Sequence, residues 1–135
     1  MNLQVGVKVL IKNGEGAFLF LRRKNQLSTD SNGTSWDIPG GRINADEKLD
    51  QALIREVQEE IGFTLKTKPV LIAAQDILVP AKELHVVRLT YLAEEDVPHI
   101  TLSDEHADHT WASLGRLDTL ELEPYLAEVV DTLKH

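Results

Sequence analysis

The most informative part of the sequence is residues 41–63, which read GRINADEKLDQALIREVQEEIGF. The apolar residues that recur there at four-residue steps are Leu49, Leu53, Val57 and Ile61. This spacing predicts a helix with one buried face. Asn44, followed by Glu47 three residues later, predicts a capped start near Asn44. Gly62 predicts the end of the helix.

Three glutamates lie on one side of this predicted helix. At about 100° per residue, Glu56, Glu59 and Glu60 fall within an arc of roughly 100°. Like charges one turn apart cost an isolated helix about 0.2–0.5 kcal/mol per pair. One interpretation is a solvated acidic face on which Arg55 pairs with Glu59. The other is a site for Mg²⁺ or Mn²⁺, which prefer hard carboxylate oxygens.

The glycine pair Gly40-Gly41 stands immediately before this segment. Glycine lets the backbone approach its neighbours closely, so carbonyl or amide groups can lie beside the helix. An acidic site next to a double-glycine loop is what metal-bound diphosphate chemistry requires. The pair therefore favours the metal-site interpretation over the solvated face.

The rest of the chain reads as a mixed α/β pattern within one domain, residues 1–135. Alternating or continuous apolar residues predict strands at residues 5–11, 17–21, 36–41, 70–79, 84–92 and 110–112. The apolar stripe Leu122, Leu126, Val129, Val130 and Leu133 predicts a closing helix. Turn-forming and polar residues predict loops at residues 27–34 and 96–109.

The charge is distributed unevenly along the chain. Lys and Arg number 14 and Asp and Glu number 22, which gives a net charge of −8. Residues 41–63 carry six acidic and three basic residues, and residues 94–109 carry six acidic residues and no Lys or Arg. These two segments hold the whole negative excess. The balance argues against binding to nucleic-acid polymers or to an anionic membrane surface.

Residues 41–63 resemble the Nudix box, G-x5-E-x7-R-E-U-x-E-E-x-G-U, where U is a bulky apolar residue. The fixed positions are occupied by Gly41, Glu47, Arg55, Glu56, Val57, Glu59, Glu60, Gly62 and Phe63. The upstream segment 36–40 is also similar to this family. The resemblance implies a Nudix fold, an α/β/α sandwich with a central mixed β-sheet, in which the box forms a loop-helix-loop.

The resemblance also implies a reaction and a set of residues. Such proteins hydrolyse a nucleoside diphosphate linked to another group, with Mg²⁺ neutralising developing charge. Glu56, Glu59 and Glu60 would be metal ligands and catalytic groups, together with the Gly40 carbonyl. Arg55 would hold a glutamate in orientation. Glu47 is expected to support the loop and helix rather than to bind metal.

A further acid from outside the box often joins such a site. Residues 103–106, followed by Trp111, resemble the loop that presents it, and Glu105 is the first candidate for ligand or base. Asp104 is the second candidate. We expect substrate contacts from Arg22, Arg23, Gly41 and Trp36.

The compact chain favours a nucleoside triphosphate, ordinary or modified, including deoxynucleotides, as the substrate. The alternatives are ADP-ribose or a nucleoside diphosphate sugar and, less favoured, a non-catalytic nucleotide sensor. An isopentenyl diphosphate isomerase of the usual form needs a catalytic cysteine, and the chain has none. The absence of cysteine fits a cytoplasmic protein. A homodimer remains open.

Overall fold

The computed structural model describes residues 1–24 and 35–134. The strands are β1 (Asn2–Lys12), β2 (Ala17–Arg23), β3 (Trp36–Asp37), β4 (Gly40–Arg42), β5 (Val70–Val79), β6 (Leu84–Glu94) and β7 (His106–Ser113). The helices are α1 (Leu49–Ile61) and α2 (Pro124–Leu133), and short 3₁₀ turns cover Pro80–Lys82 and Leu114–Thr119. The predicted loop at residues 27–34 lies outside the described residues. No helix within residues 1–24 and 35–134 is long and apolar enough to cross a membrane.

The strands form one mixed sheet in the order β3-β2-β1-β6-β5. The central strand β1 runs parallel to β6 along its whole length and antiparallel to β2 and β4. Strand β7 pairs antiparallel with β2. The parallel β1–β6 pair places the first strand of the chain beside a strand from its second half, in the middle of the sheet.

A helix covers each face of the sheet. On one face, α1 buries Leu53, Val57 and Ile61 against odd-numbered residues of β1 such as Val9. On the other face, α2 packs against a second cluster that contains Leu10 of β1. Because successive strand residues point to opposite faces, the apolar run of β1 serves both layers. The predicted α/β/α sandwich with a central mixed sheet is confirmed.

The predicted start of the first helix near Asn44 is wrong. The helix begins at Leu49, and the backbone N–H of Lys48 donates to Gln51 Oε1 at 3.2 Å. Asn44 and Glu47 do interact, because the Asn44 N–H donates to Glu47 Oε1 at 2.9 Å. However, they close a separate turn ahead of the helix, since Asp46 has a φ of +66° that a right-handed helix excludes. The predicted end of the helix at Gly62 is confirmed. The backbone of Gly62 adopts the left-handed conformation, with φ 69°, and caps the helix.

The loop in the acidic segment 96–109 is shorter than predicted. Strand β7 begins at His106, so residues 106–109 are extended rather than loop. These residues pair with the end of β2, with Arg22 opposite Asp108 and Arg23 opposite His106. Polar residues can form this strand because their partners lie in β2, a contact that the local sequence does not reveal.

Candidate active site

Gly40 and Gly41 are both required, for different reasons. Gly40 has φ 143°, and a Cβ there would collide with the backbone oxygen of Val7. A Cβ on Gly41 would lie 2.6 Å from Oε2 of Glu56. The first glycine therefore lets β4 lie against β1, and the second makes room for a carboxylate of α1.

Glu60 is the most buried of the three helix glutamates, with 8% of its surface exposed. The backbone N–H of Gly40 donates to its Oε1 at 3.0 Å. Burial raises the pKa of Glu60 to about 7, and the charge of Glu56 adds to the rise, although Lys8 and the Gly40 N–H oppose it. A buried carboxylate of this kind needs a cationic partner to stay ionised.

Arg55 joins the other box glutamates into one network. Its Nε donates to Glu47 Oε2 at 2.7 Å, and its Nη1 donates to Glu56 Oε1 at 2.9 Å. The same Nη1 lies 3.3 Å from Glu59. Hydrogen bonding to Arg55 holds the pKa of Glu47 at about 2. Glu47 is thus tied to Arg55 and to Asn44, as expected for a supporting residue.

The loop before β7 is docked on the C-terminal end of α1. The Thr101 N–H donates to the Ile61 carbonyl at 2.9 Å, and the Ser103 N–H donates to the Glu60 carbonyl at 3.0 Å. These bonds satisfy carbonyls that a helix end leaves without partners. The Lys24 N–H also donates to the Glu105 carbonyl at 2.9 Å. The two anchors hold Glu105 between α1 and the end of β2.

These elements enclose a cleft of about 430 Å³, which we call the carboxylate cleft. It is lined by Arg23, Gly40, Gly41, Glu56, Glu59, Glu60, Ser103, Asp104 and Glu105. The structure therefore brings together the predicted box glutamates, both glycines, Arg23 and both loop acids. Arg55 lies beside this set through its bonds to Glu56 and Glu59.

Arg22 and Trp36, which the sequence suggests as substrate contacts, do not line this cleft. Arg22 lies over the Trp36 ring, with its Cζ 4.9 Å from the ring centroid, and its Nη2 is 3.4 Å from Asp108. Trp36 packs against the cluster under α2, on the sheet face opposite to α1. Their contact with substrate stays a prediction.

The oxygen atoms that line the cleft are of the chemical type that a hard divalent cation binds. It offers carboxylate oxygens on a rigid helix, and the bare Gly41 leaves space beside Glu56 that a Cβ would fill. Among the residues that the structure describes, no three His, Asp or Glu side chains are arranged to hold a metal ion as they stand. Glu56 is held by Arg55, and Glu60 is held by the Gly40 N–H. The residues fit such an ion, provided that these carboxylates turn towards one another.

Sequence reasoning missed a charged group on the other side of β4. Lys8 Nζ lies 3.5 Å from Asp37 Oδ2 and 3.2 Å from the Ile38 carbonyl. The buried Arg88 donates from Nη2 to Asp37 Oδ1 at 2.9 Å. The available signal was weak: Lys8 and Arg88 are charged residues within otherwise apolar strands.

Comparison with known proteins gives the same result over nearly the whole chain. Residues 2–133 match the family model described as NUDIX domain. The crystal structure of a MutT protein from Methanosarcina mazei Go1 has a TM-score of 0.82 and 31% identity, and covers 98% of this chain and 93% of that one. A MutT NUDIX hydrolase from Burkholderia pseudomallei has a TM-score of 0.81 and 25% identity, with 97% and 98% covered.

Curated relatives match over a shorter segment. An RNA pyrophosphohydrolase of Edwardsiella ictaluri is 36% identical over 72 residues, which are 53% of this chain and 37% of that protein. The m7GpppN-mRNA hydrolase NUDT17 of Danio rerio is 40% identical over 63 residues, 47% of this chain and 20% of its own length. The matched part thus spans little more than a third of these relatives at most. With its box glutamates gathered in one cleft and a family match over residues 2–133, the chain belongs to the Nudix hydrolases, which act on pyrophosphate bonds.

Proposed function

We propose that this chain is a Mg²⁺-dependent pyrophosphohydrolase that converts a nucleoside triphosphate, ordinary or modified, to the monophosphate and pyrophosphate. The observation that carries the proposal is the carboxylate cleft. There Glu56, Glu59 and Glu60 face Asp104 and Glu105 from a different part of the chain. Five acidic side chains around one cleft suit a polyphosphate only when cations offset their charge. Mn²⁺ is expected to substitute for Mg²⁺.

Each residue of the cleft has a separate task in this reaction. Glu56, Glu59, Glu60 and the Gly40 carbonyl would hold the metal, which when bound supplies charge neutralisation at the attacked phosphorus and the leaving group. Arg55 keeps Glu56 and Glu59 in place by charge-assisted hydrogen bonds. The Gly40 N–H fixes one oxygen of Glu60.

Glu105 and Arg23 complete the cleft from the β2–β7 side. Glu105 contributes the acid from outside the helix, as a further ligand or as the group that accepts a proton from the attacking water. Arg23 places a permanent positive charge on the rim, where it can contact a phosphate oxygen. Both residues depend on strand pairing rather than on the helix for their position.

The substrate class follows from size and charge. The net charge of −8 argues for a free nucleotide rather than a nucleic-acid polymer or an anionic membrane surface. The absence of cysteine supports a cytoplasmic location. Some relatives are named RNA pyrophosphohydrolase. Triphosphorylated RNA is therefore the competing substrate to test beside free nucleotides. A panel of nucleoside triphosphates, deoxynucleotides, ADP-ribose, nucleotide sugars and a short 5′-triphosphorylated RNA separates these substrates. The sizes of the products also show whether the bond cleaved releases pyrophosphate.

The test of the catalytic assignment is Glu59→Gln. Glu59 has 57% of its side chain exposed, so the substitution is expected to change stability by no more than about 0.5 kcal/mol. The loss of one charge-stabilising group should lower kcat by about 10²–10³. Initial rates of pyrophosphate release measure the effect, and urea unfolding checks the fold. Glu15→Gln, the same change in an exposed turn, is the control. Full activity in Glu59→Gln would overturn the proposal.

The assignment of the outer acid is tested by comparing Glu105→Gln with Asp104→Asn. Both side chains are exposed and line the cleft, so neither change should unfold the protein. We expect Glu105→Gln to lower kcat by about 10²-fold, as loss of a general base or ligand does, with a smaller loss for Asp104→Asn. The reverse order would transfer the role to Asp104. A shift of the acidic limb of the pH–rate profile in Glu105→Gln would identify it as the base.

A further inference from the structure

The turn at residues 103–106, which leads into β7, is closed by two separate contacts. The His106 N–H donates to the Ser103 carbonyl at 3.1 Å, which closes the turn through the backbone. The side chains meet as well, since Ser103 Oγ and His106 Nδ1 lie 3.1 Å apart, within hydrogen-bond distance. Asp104 and Glu105 occupy the two central positions, and both line the carboxylate cleft. The two residues that flank these acids therefore hold each other by main chain and by side chain.

A bulge in β7 places His106 on the cleft face of the sheet. The register between β2 and β7 shifts between Arg22 and Arg23, so that Arg23 pairs with His106 and Ala107 is the extra residue. Residues directly opposite each other point to the same face, and Arg23 lines the carboxylate cleft. In a regular ladder Arg23 would oppose Ala107, and His106 would point to the opposite face. Bulges commonly redirect a side chain beside an active site, and this one directs the imidazole to the side of Ser103.

The turn has to hold its acids against electrostatic repulsion. Asp104 and Glu105 share the cleft with the three glutamates of α1, and bringing like charges together has an energetic cost. Both side chains are exposed, so packing does little to restrain them. The Ser103 N–H is bonded to the end of α1 and the Lys24 N–H to the Glu105 carbonyl, but these bonds fix only the backbone at each side. The direction in which Glu105 points therefore depends on whether the turn between these anchors stays closed.

We propose that Ser103 and His106 are positioning residues, which hold Glu105 at the carboxylate cleft by keeping this turn closed. Their effect on the reaction passes through Glu105, and neither side chain takes part in the chemistry itself. Fixing the backbone under an exposed carboxylate in advance lowers the entropy cost of bringing that carboxylate to its reactive position. The inference rests on the hydrolysis proposed above and adds two residues to the groups that support it.

The first experiment compares His106→Ala with His106→Asn. Asparagine carries a polar atom at about the position of the histidine Nδ1, so it can keep the bond to Ser103. We expect His106→Ala to lower kcat by about tenfold with KM within about twofold of the wild type, and His106→Asn to restore most of the rate. His99→Ala, at an exposed histidine earlier in the same loop, is the control and should leave kcat unchanged. A wild-type kcat in His106→Ala would overturn the inference.

The second experiment removes the other partner with the smallest change to the fold. Ser103→Ala loses only the hydroxyl that contacts His106, whereas Ser103→Thr keeps a hydroxyl. We expect kcat to fall by about fivefold in Ser103→Ala, as the loss of one hydrogen bond allows, and to stay near the wild-type value in Ser103→Thr. Ser113→Ala, at the other end of β7, is the matched control. Equal kcat in Ser103→Ala and the wild type would contradict the inference, even if His106→Ala were slow.

A double-mutant cycle with Glu105→Gln distinguishes positioning of Glu105 from a general structural role. Residues that act through one another have effects that do not add. In the Glu105→Gln background, His106→Ala should therefore lower kcat by less than about twofold, although it lowers kcat by about tenfold in the wild type. A tenfold loss that persists in the Glu105→Gln background would show that His106 acts independently of Glu105 and would overturn the inference.

Amide hydrogen exchange separates this inference from the proposed function, because it needs no substrate. The His106 N–H should exchange about fivefold faster or more in Ser103→Ala than in the wild type, since the turn opens more often. The Gly62 N–H, bonded to the Gln58 carbonyl, is the internal control and should be unaffected. If no nucleotide is hydrolysed but the His106 N–H responds in this way, the proposed function fails and the lock on the turn stands. Unchanged exchange of the His106 N–H overturns the inference, whether or not hydrolysis is observed.

Discussion

The carboxylate cleft and the ion-pair cluster of Lys8, Asp37 and Arg88 are built in opposite ways. Three of the acids in the cleft come from the single helix α1, and Glu59 is largely exposed. The ion-pair cluster takes its members from β1, β3 and β6, all of them half-buried or buried. Arg88 finds its ion-pair partners in β3 and just before α2.

This difference has a consequence for how each region responds to substitution. Phosphates and hydrated cations are charged, so exposed carboxylates on a rigid local element can serve them at little cost to the fold. The ion-pair cluster is different, because Arg88 is buried and a buried charge that loses its partner carries a large desolvation cost. Changes in the cleft should therefore affect rate more than stability. Changes in the ion-pair cluster should affect stability as well.

The largest expected effect on stability is that of Asp37→Asn, which removes the partner of the buried Arg88. Arg88 would keep only its longer contact to Glu123, at 3.6 Å, and Lys8 would lose its carboxylate partner, so the free energy of unfolding should fall by about 3 kcal/mol at pH 7. Burial by itself would raise the pKa of Asp37, but the charges of Lys8 and Arg88 lower it from 3.8 to about 2. The ionised Asp37 therefore stabilises the fold above its unfolded pKa, and this contribution is lost as the pH falls through about 2.

Urea unfolding of wild type and Asp37→Asn between pH 7 and pH 2 tests this sign. The difference in unfolding free energy should start to shrink as the pH falls below about 4, where the carboxylate of the unfolded chain is protonated, and should be largely lost near pH 2, where the folded one is protonated too. Asp118→Asn, at an exposed carboxylate, is the control and should change stability by no more than about 0.5 kcal/mol. A difference that stays constant over this range would contradict the prediction.

Gly41→Ala should have the next largest effect, and on rate rather than on stability. The added Cβ would stand 2.6 Å from Glu56 Oε2, so the carboxylate must move. Misplacing a catalytic group by about 1 Å can lower kcat by up to about 100-fold. Steady-state rates and thermal unfolding measure the two effects side by side. Gly115→Ala, where nothing lies within 4 Å of the new Cβ, is the control, and unchanged rates in Gly41→Ala would show that Glu56 has no part in the reaction.

The smallest expected effect is that of Arg55→Lys, which keeps a charge but cannot bond Glu47 and Glu56 together. Residues that orient metal ligands typically contribute about 10–100-fold to metal affinity or activity, and we expect the lower figure. The Mg²⁺ concentration for half-maximal rate should rise, which a purely structural role would not cause. Arg116→Lys, on an exposed turn, is the control. An unchanged Mg²⁺ requirement would limit Arg55 to supporting the helix.

The two regions differ in how far the sequence predicts them. Glu56, Glu59 and Glu60 were predictable because helix geometry places residues three and four apart on one side. The start of α1 was not, because the contact between Asn44 and Glu47 closes a turn whose continuation into a helix is blocked at Asp46. Arg88 gave almost no signal, since one charged residue in an apolar strand is compatible with many roles.

The position of Glu105 was only partly predictable from the sequence. Its family resemblance marked it as a candidate, but only the docking of its loop on the end of α1 brings it to the other acids. The extension of β7 back to His106 also helps to position Glu105, and no local sequence pattern predicts it. Both features depend on hydrogen bonds between segments that are distant in the chain.

The sequence by itself determined the family, the carboxylate spacing and the end of the helix at Gly62, because all of these depend on residues within a few turns of one another. The tertiary structure decided which acids face the cleft and why Gly40 and Gly41 must both lack a side chain. The physical reason is the pairing of β1 with β6 and with β4. It sets Gly6 beside Arg88 and Val7 beside Gly41, contacts that arise only when distant strands meet.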